Sequence, residues 1–185
     1  MSFDAAYAAL KAQHLEGRVR RFPGSSATVA LAAQELGTAE GAIAKTMALL
    51  GPDGPILVLA AGDRKIDGGS FKRTFHFKPK FVPGTDVEAL VGHAPGGVCP
   101  FGRHEGIPVW LDRSLLSHAE VWPACGDDAV SPYVFQQQKV KPFWRELIWS
   151  LHTSRRRQRP DKALRASSAR LKRHRRSPAR DLTVF

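Results

Sequence analysis

Lys45 stands alone among apolar neighbours in AIAKTMALL, residues 42–50, where Ile43, Met47 and Leu50 recur as one buried side of a helix. A lysine so placed either loses hydration beside a polar cleft, or carries its charge out to water along its aliphatic stem. A second stretch, HAPGGVCPFG at residues 93–102, sets glycines and prolines side by side between apolar segments. Gly96 and Gly97 offer consecutive backbone N–H groups with no Cβ to hold a ligand away, while Pro95 and Pro100 stiffen the flanks. Such donors suit a phosphate, a carboxylate or the oxyanion of acyl transfer; the same composition equally suits a tight turn. Cys99, in the same loop, is either a nucleophile without an identifiable base or a small buried side chain.

Other chemistries find no support in the spacing. GDRKIDGGSFK lacks the Gly-Lys-Ser/Thr ending of a phosphate-binding Walker loop. His76, His93, His104 and His118 show no metal-ligand spacing with Cys99, so no metal is expected.

The elements that must position these residues read as a mixed α/β domain, with helices packed on a mainly β centre. Apolar residues at helical spacing predict a helix over 2–14, and RVRRF is extended. Ser26 or Thr28 caps a second helix that Gly37 ends, and Thr38 caps a third, TAEGAIAKTMALL, which carries Lys45. GPDGP is a hairpin-type turn, and ILVLAAG after it is a buried strand. DRKIDGGSFKRTF is a loop opening a helix, FKPKFVP is extended, and TDVEALVG is a short capped helix. IPVWLDRSLL reads as a strand and helix start, and AEVWPACG as the last apolar strand. FWRELIWSLH then has Phe143, Leu147 and Leu151 on one side of an amphipathic helix.

Charge separates the chain into two parts. Residues 154–185 hold 12 of the 28 basic and 2 of the 17 acidic residues, leaving 16 and 15 in residues 1–153. The basic tail has almost no large apolar side chains and cannot bury enough surface to offset its ordering entropy, so it is expected to be disordered. The expected organisation is one compact domain over 1–150, atypical in 128–150, with an arginine-rich tail over 151–185. Two cysteines give no disulfide framework, no apolar run approaches the length of a membrane span, and no signal peptide is evident, so the expected setting is cytoplasmic.

Five stretches together resemble the YbaK/prolyl-tRNA synthetase-associated editing domain family: ELGTAEGAIAKTMALL (35–50), LVLAAGDRKID (57–67), DVEALVGHAPGGVCPFG (86–102), IPVWLDRSLL (107–116) and VWPACGDD (121–128). The resemblance covers residues 20–128. It implies a free-standing aminoacyl-tRNA deacylase that hydrolyses the ester of mischarged tRNA, often tRNA for proline, without cofactor or metal. Lys45, Gly96 and Gly97 match its catalytic positions. Phe22, Thr28, Thr46, Asp63, Gly92, His93, Val98, Cys99, Pro100, Phe101, Gly102 and Asp127 fall where substrate would bind. Mischarged tRNA is the implied partner and prolyl-tRNA synthetase a candidate one, with no membrane involved. The basic tail either contacts RNA or is a solvated extension. After residue 128 the chain departs from the family pattern, through a true extension or a change of reading frame. Two rival readings remain at this point: a non-catalytic RNA-binding module of the same fold, and a small-molecule esterase using Cys99.

Overall fold

The computed structural model describes residues 2–21, 24, 26–126, 130–133 and 135–136. The chain divides into two units, Met1–Thr153 and Ser154–Phe185, and all described residues belong to the first. The tail, the helix expected around Phe143 to Leu151, Phe22 and Asp127 lie outside them.

Helix α1 (Ser2–Lys11) is followed by strand β1 (Val19–Arg21). Helix α2 (Val29–Leu36) starts where Thr28 Oγ1 accepts the Leu31 N–H and stops at Gly37 in the left-handed region. The Thr38 N–H donates back to Ala33 O at 3.0 Å, closing the end of the helix. The third predicted helix is absent: after a 3-10 turn at Glu40–Ala42, residues Ile43–Gly51 form strand β2, paired antiparallel to β3 (Gly54–Ala61). The residues of β2 are good helix formers. Ala48 and Leu49 are buried on opposite faces, so the strand lacks the alternation of a half-exposed one, and pairing across the Gly51–Gly54 turn decides the outcome.

Helix α3 (Gly68–Phe75) is capped by Asp67, whose carboxylate accepts from Ser70 N–H at 2.7 Å. Helix α4 (Gly84–Val91) follows Pro83, with no side-chain cap, and ends at left-handed Gly92. Strand β4 (Val109–Leu111) leads into a 3-10 turn, and β5 (Glu120–Pro123) is followed by β6 (Val130–Tyr133) and β7 (Phe135–Gln136). The main sheet runs β4-β3-β2-β5-β7, and β1 pairs with β6 apart from it. β2/β3 and β5/β7 are antiparallel, whereas β3/β4 and β2/β5 are parallel, so the mixed α/β reading holds.

Alternation along the central hairpin sorts its two faces. Ala44, Ala48, Leu57, Leu59 and Ala61 join the larger core with Leu10 of α1, Val87 and Val91 of α4, and Cys99 and Phe101. On the opposite face Leu49, Ile56 and Val58 pack with Phe71 of α3, while Ile43 packs with Ala32 and Ala33 of α2 and with Trp122.

Candidate active site

Strand β5 pairs with β2 only at Ile43↔Trp122 and Ala44↔Pro123. β5 ends at Pro123, opposite Ala44, and a cavity of about 170 Å³ lies beside this point. Lys45 and Thr46 line it from β2, Ala124 from beyond β5, Thr28, Val29 and Ala32 from the start of α2, and Gly96 and Val98 from the loop after α4. One wall is thus cationic and hydroxylic while the rest is largely apolar.

Lys45 shares its face of β2 with Ile43 and Met47, in the interval between two apolar clusters. Its Nζ donates to Gly62 O at 3.0 Å and to Arg64 O, both in the loop after β3. An ammonium has three donors, so two are used by the loop. Desolvation lowers the Lys45 pKa below the ordinary lysine value; the Asp63 carboxylate opposes that shift and Lys65 adds to it. Asp63 itself lies 3.4 Å from Arg64 Nε and is partly exposed, so it acts on the site through charge. Gly62 permits this loop to close: a Cβ there would sit 2.2 Å from Glu40 O. The snorkelling alternative is therefore replaced by an ammonium tethered at a cavity wall. Thr46 Oγ1 is shielded from solvent and has no hydrogen-bond partner among the described residues.

The glycine loop divides into a face toward the cavity and a face toward the core. Gly96 has φ 91°, is exposed, and lines the cavity with Val98. Gly97 is buried and its N–H donates to Ala94 O at 3.1 Å, so of the two consecutive donors this one is taken up in a turn. Gly92 serves as the left-handed cap of α4. Gly102, also left-handed, abuts α1 so closely that a Cβ would lie 2.3 Å from the Ala5 carbonyl carbon. His93, Cys99, Pro100 and Phe101 are buried and do not line the cavity. Cys99 Sγ donates to Phe101 O at 3.2 Å and lies 3.8 Å from His93 Nε2. Burial pushes the Cys99 thiol far above the ordinary cysteine range, a condition opposite to that of a reactive thiolate. Burial also lowers the His93 pKa and favours its neutral ring. Arg103 fixes the far end of the loop, donating to Pro100 O at 2.7 Å and Ile107 O at 2.8 Å.

Of the expected site residues, Lys45, Thr46, Thr28, Gly96 and Val98 therefore meet at one cavity. Trp122, Ala124 and Val29 also line it and were not foreseen. Trp122 reaches the site through a single parallel pairing, which no local pattern encodes. Among the described residues no group of three His, Cys, Asp or Glu side chains is placed to hold a metal, and no helix is long and apolar enough to cross a membrane.

Residues 24–140 match the family model of the aminoacyl-tRNA editing domain. The chain is 44% identical over 112 residues to the uncharacterized protein YwhH of Bacillus subtilis (strain 168), spanning 60% of this chain and 71% of that one. A solved structure of a protein proposed as a trans-editing enzyme for prolyl-tRNA synthetase superposes with TM-score 0.73 and 27% identity, over 83% of this chain and 98% of the other. The hypothetical protein APE2540 superposes with TM-score 0.69 and 26% identity, over 77% and 95%. The cavity beside Ala44, the tethered lysine and the glycine loop thus occur in a chain that belongs to the aminoacyl-tRNA editing domain family, of the YbaK type.

Proposed function

We propose that the protein is an aminoacyl-tRNA deacylase acting in trans, which hydrolyses the ester of mischarged tRNA, with tRNA for proline as its substrate type. The observation that carries this reading is Lys45, tethered by Gly62 O and Arg64 O at the wall of a cavity that Gly96 lines. Two carbonyls fix the ammonium, and its third proton is left for a substrate oxygen. The Gly96 N–H serves as the donor for the ester carbonyl, since its left-handed backbone and missing Cβ allow close approach.

In the reaction, water adds to the carbonyl carbon, charge develops on the carbonyl oxygen, and the ribose oxygen leaves with a proton. An aminoacyl ester is already activated, so a positioned water and preorganised donors suffice without a side-chain nucleophile. One such donor contributes about 3–4 kcal/mol to the transition state. Thr46 Oγ1 and Thr28 contribute hydroxyls that orient the aminoacyl end. Selectivity follows cavity size: a site excludes a larger side chain more readily than one smaller by a methylene, which is worth only about 1–3 kcal/mol. The esterase reading through Cys99 loses its basis with the thiol buried and protonated.

The basic tail contributes affinity for tRNA and not the choice of amino acid, and prolyl-tRNA synthetase is the proposed protein partner. The test is deacylation of a panel of mischarged tRNAs by the full chain, by Lys45→Ala and by a chain lacking 154–185. Hydrolysis of at least one mischarged tRNA for proline, lost in Lys45→Ala, supports the reading; no hydrolysis of any member overturns it. Removing the tail should flatten the dependence of log affinity on log salt while leaving the substrate ranking unchanged.

A further inference from the structure

The Lys45 cavity has a larger neighbour. A groove of about 860 Å³ runs between the end of α2, with Gly37 and Thr38, and the segment Ser117 to Glu120. Trp122 lines both spaces; Ala42 faces the groove and the next residue, Ile43, faces the cavity. Trp122 and the step from Ala42 to Ile43 thus border both spaces, where β2 pairs with β5 at Ile43↔Trp122. The inner cavity, about 170 Å³, is smaller than the roughly 300–1,000 Å³ of pockets that enclose a whole ligand, whereas the groove falls within that range. A polymer whose reacting end occupies the inner cavity needs a path outward, and the groove lies next to it.

We propose that this groove binds the single-stranded nucleotides that precede the terminal adenosine of the tRNA acceptor end; the proposal rests on the deacylase reading. Its walls offer what unstacked ribonucleotides need. Thr38 and Ser117 supply hydroxyls for ribose 2′-OH groups, and His118 supplies a ring for base contact. The Glu120 carboxylate accepts from an exocyclic amine, the edge by which cytosine is read. Arg20, exposed and held with its guanidinium 5.3 Å over the Trp122 ring, is the phosphate contact. The C-terminal end of α2 carries partial negative charge, so the phosphates follow Arg20 and the ribose and base face Gly37.

The experiment measures binding to the full chain of two probes, the trinucleotide cytidine-cytidine-adenosine and adenosine 5′-monophosphate. The trinucleotide should bind at least tenfold tighter, a difference of about 1.4 kcal/mol. Ala119→Trp fills the groove from an exposed wall position and should abolish that difference while leaving the mononucleotide unaffected. Ala39→Trp, on the opposite wall, serves if Ala119→Trp does not fold. Arg20→Ala should flatten the salt dependence of trinucleotide affinity by a slope of about 0.7, one phosphate on a single strand. Equal affinity for the two probes, or both wall variants weakening the two probes alike, overturns the proposal. A kinetic arm separates it from the activity itself: the wall variants should raise KM for mischarged tRNA about tenfold and leave hydrolysis of a 3′-aminoacyl adenosine unchanged. Tight trinucleotide binding with no hydrolysis of either ester would uphold the groove and overturn the deacylase reading.

Discussion

Lys45 lies within an antiparallel ladder of eight residue pairs between β2 and β3, whereas the loop from Gly92 to Gly102 lies across the cavity with no ladder at all. The ladder fixes the lysine's backbone, and two carbonyls fix its tip. The loop is held by a turn bond, the Cys99 thiol on Phe101 O, the Arg103 bond to Pro100 O and the contact of Gly102 with α1. In the deacylase we propose, function is concentrated in one side chain on the rigid side and distributed over backbone shape on the other. Substitution of Lys45 should remove chemistry and spare the fold, while most loop substitutions should trade one for the other.

The largest expected effect tests the rigid side. Lys45→Ala should lower kcat/KM for a mischarged tRNA by about 10²–10³-fold, the scale of losing one preorganised electrostatic contact, with thermal unfolding little changed. Its pH dependence adds a second check. Desolvation lowers the Lys45 pKa, so folding favours the neutral amine. Between the folded and unfolded pKa values the unfolded chain binds more protons, and the contribution of Lys45 to stability rises with pH through that window. Turnover should do the opposite, falling as pH climbs through the lowered pKa and the ammonium loses its proton. Rate profiles corrected for spontaneous ester hydrolysis, set beside unfolding curves at the same pH, show whether the two trends diverge. An activity limb at the ordinary lysine value would break the account of a desolvated ammonium.

Next comes the loop's anchor. Gly102→Ala places a methyl group 2.3–2.5 Å from the Ala5 and Ala6 backbone, at a left-handed φ of 60°. Backbone cannot yield as a side-chain tip does, so α1 must move, at a cost of about 3 kcal/mol in chemical denaturation. Gly102 was expected to bind substrate; a stability loss accompanied by near-normal turnover of the folded fraction would confirm that it holds the loop instead.

The same contrast explains what the sequence revealed and what it hid. Thr28, Gly37, Asp67 and Gly92 bound their helices by cap chemistry that spans at most four residues, and each is readable in place. The Lys45 segment has the pattern of a helix, because Ala, Met and Leu favour helices and burial on both faces erases alternation, yet it forms a strand. The signal against a helix was already present: a hairpin-type turn at Gly51–Gly54 requires a strand on each side, and β2 is the one before it. The glycine loop was recognised as a unit, yet its two faces depend on contacts with α1 and α4, far away in sequence. Gly96 and Gly97 look interchangeable in a row of letters. Only the fold assigns the left-handed φ to the first and the turn bond to the second.

That distinction gives a smaller, sharper test. Gly96→Val must hold a β-branched residue at φ 91° beside the cavity, whereas Gly97→Ala meets no such demand. The first should lower kcat/KM about tenfold or more through the displaced N–H donor and blocked approach, and the second by less. If Gly97→Ala is the more damaging at equal stability, the donor has been placed on the wrong glycine.

The smallest effect belongs to Cys99→Ser. The hydroxyl can keep the bond to Phe101 O, and the side chain faces the core and not the cavity, so deacylation should stay within about threefold of the parent. What the substitution does change is the match between a polar hydroxyl and a fully buried site beside His93, a stability cost of about 1 kcal/mol. Thiol-alkylating reagents should likewise leave folded protein active, since the thiol is shielded and its thiolate disfavoured. A loss of turnover in Cys99→Ser comparable to that in Lys45→Ala, with the fold intact, would mean that the core face of the loop takes part in the chemistry, and would collapse the division between its two faces.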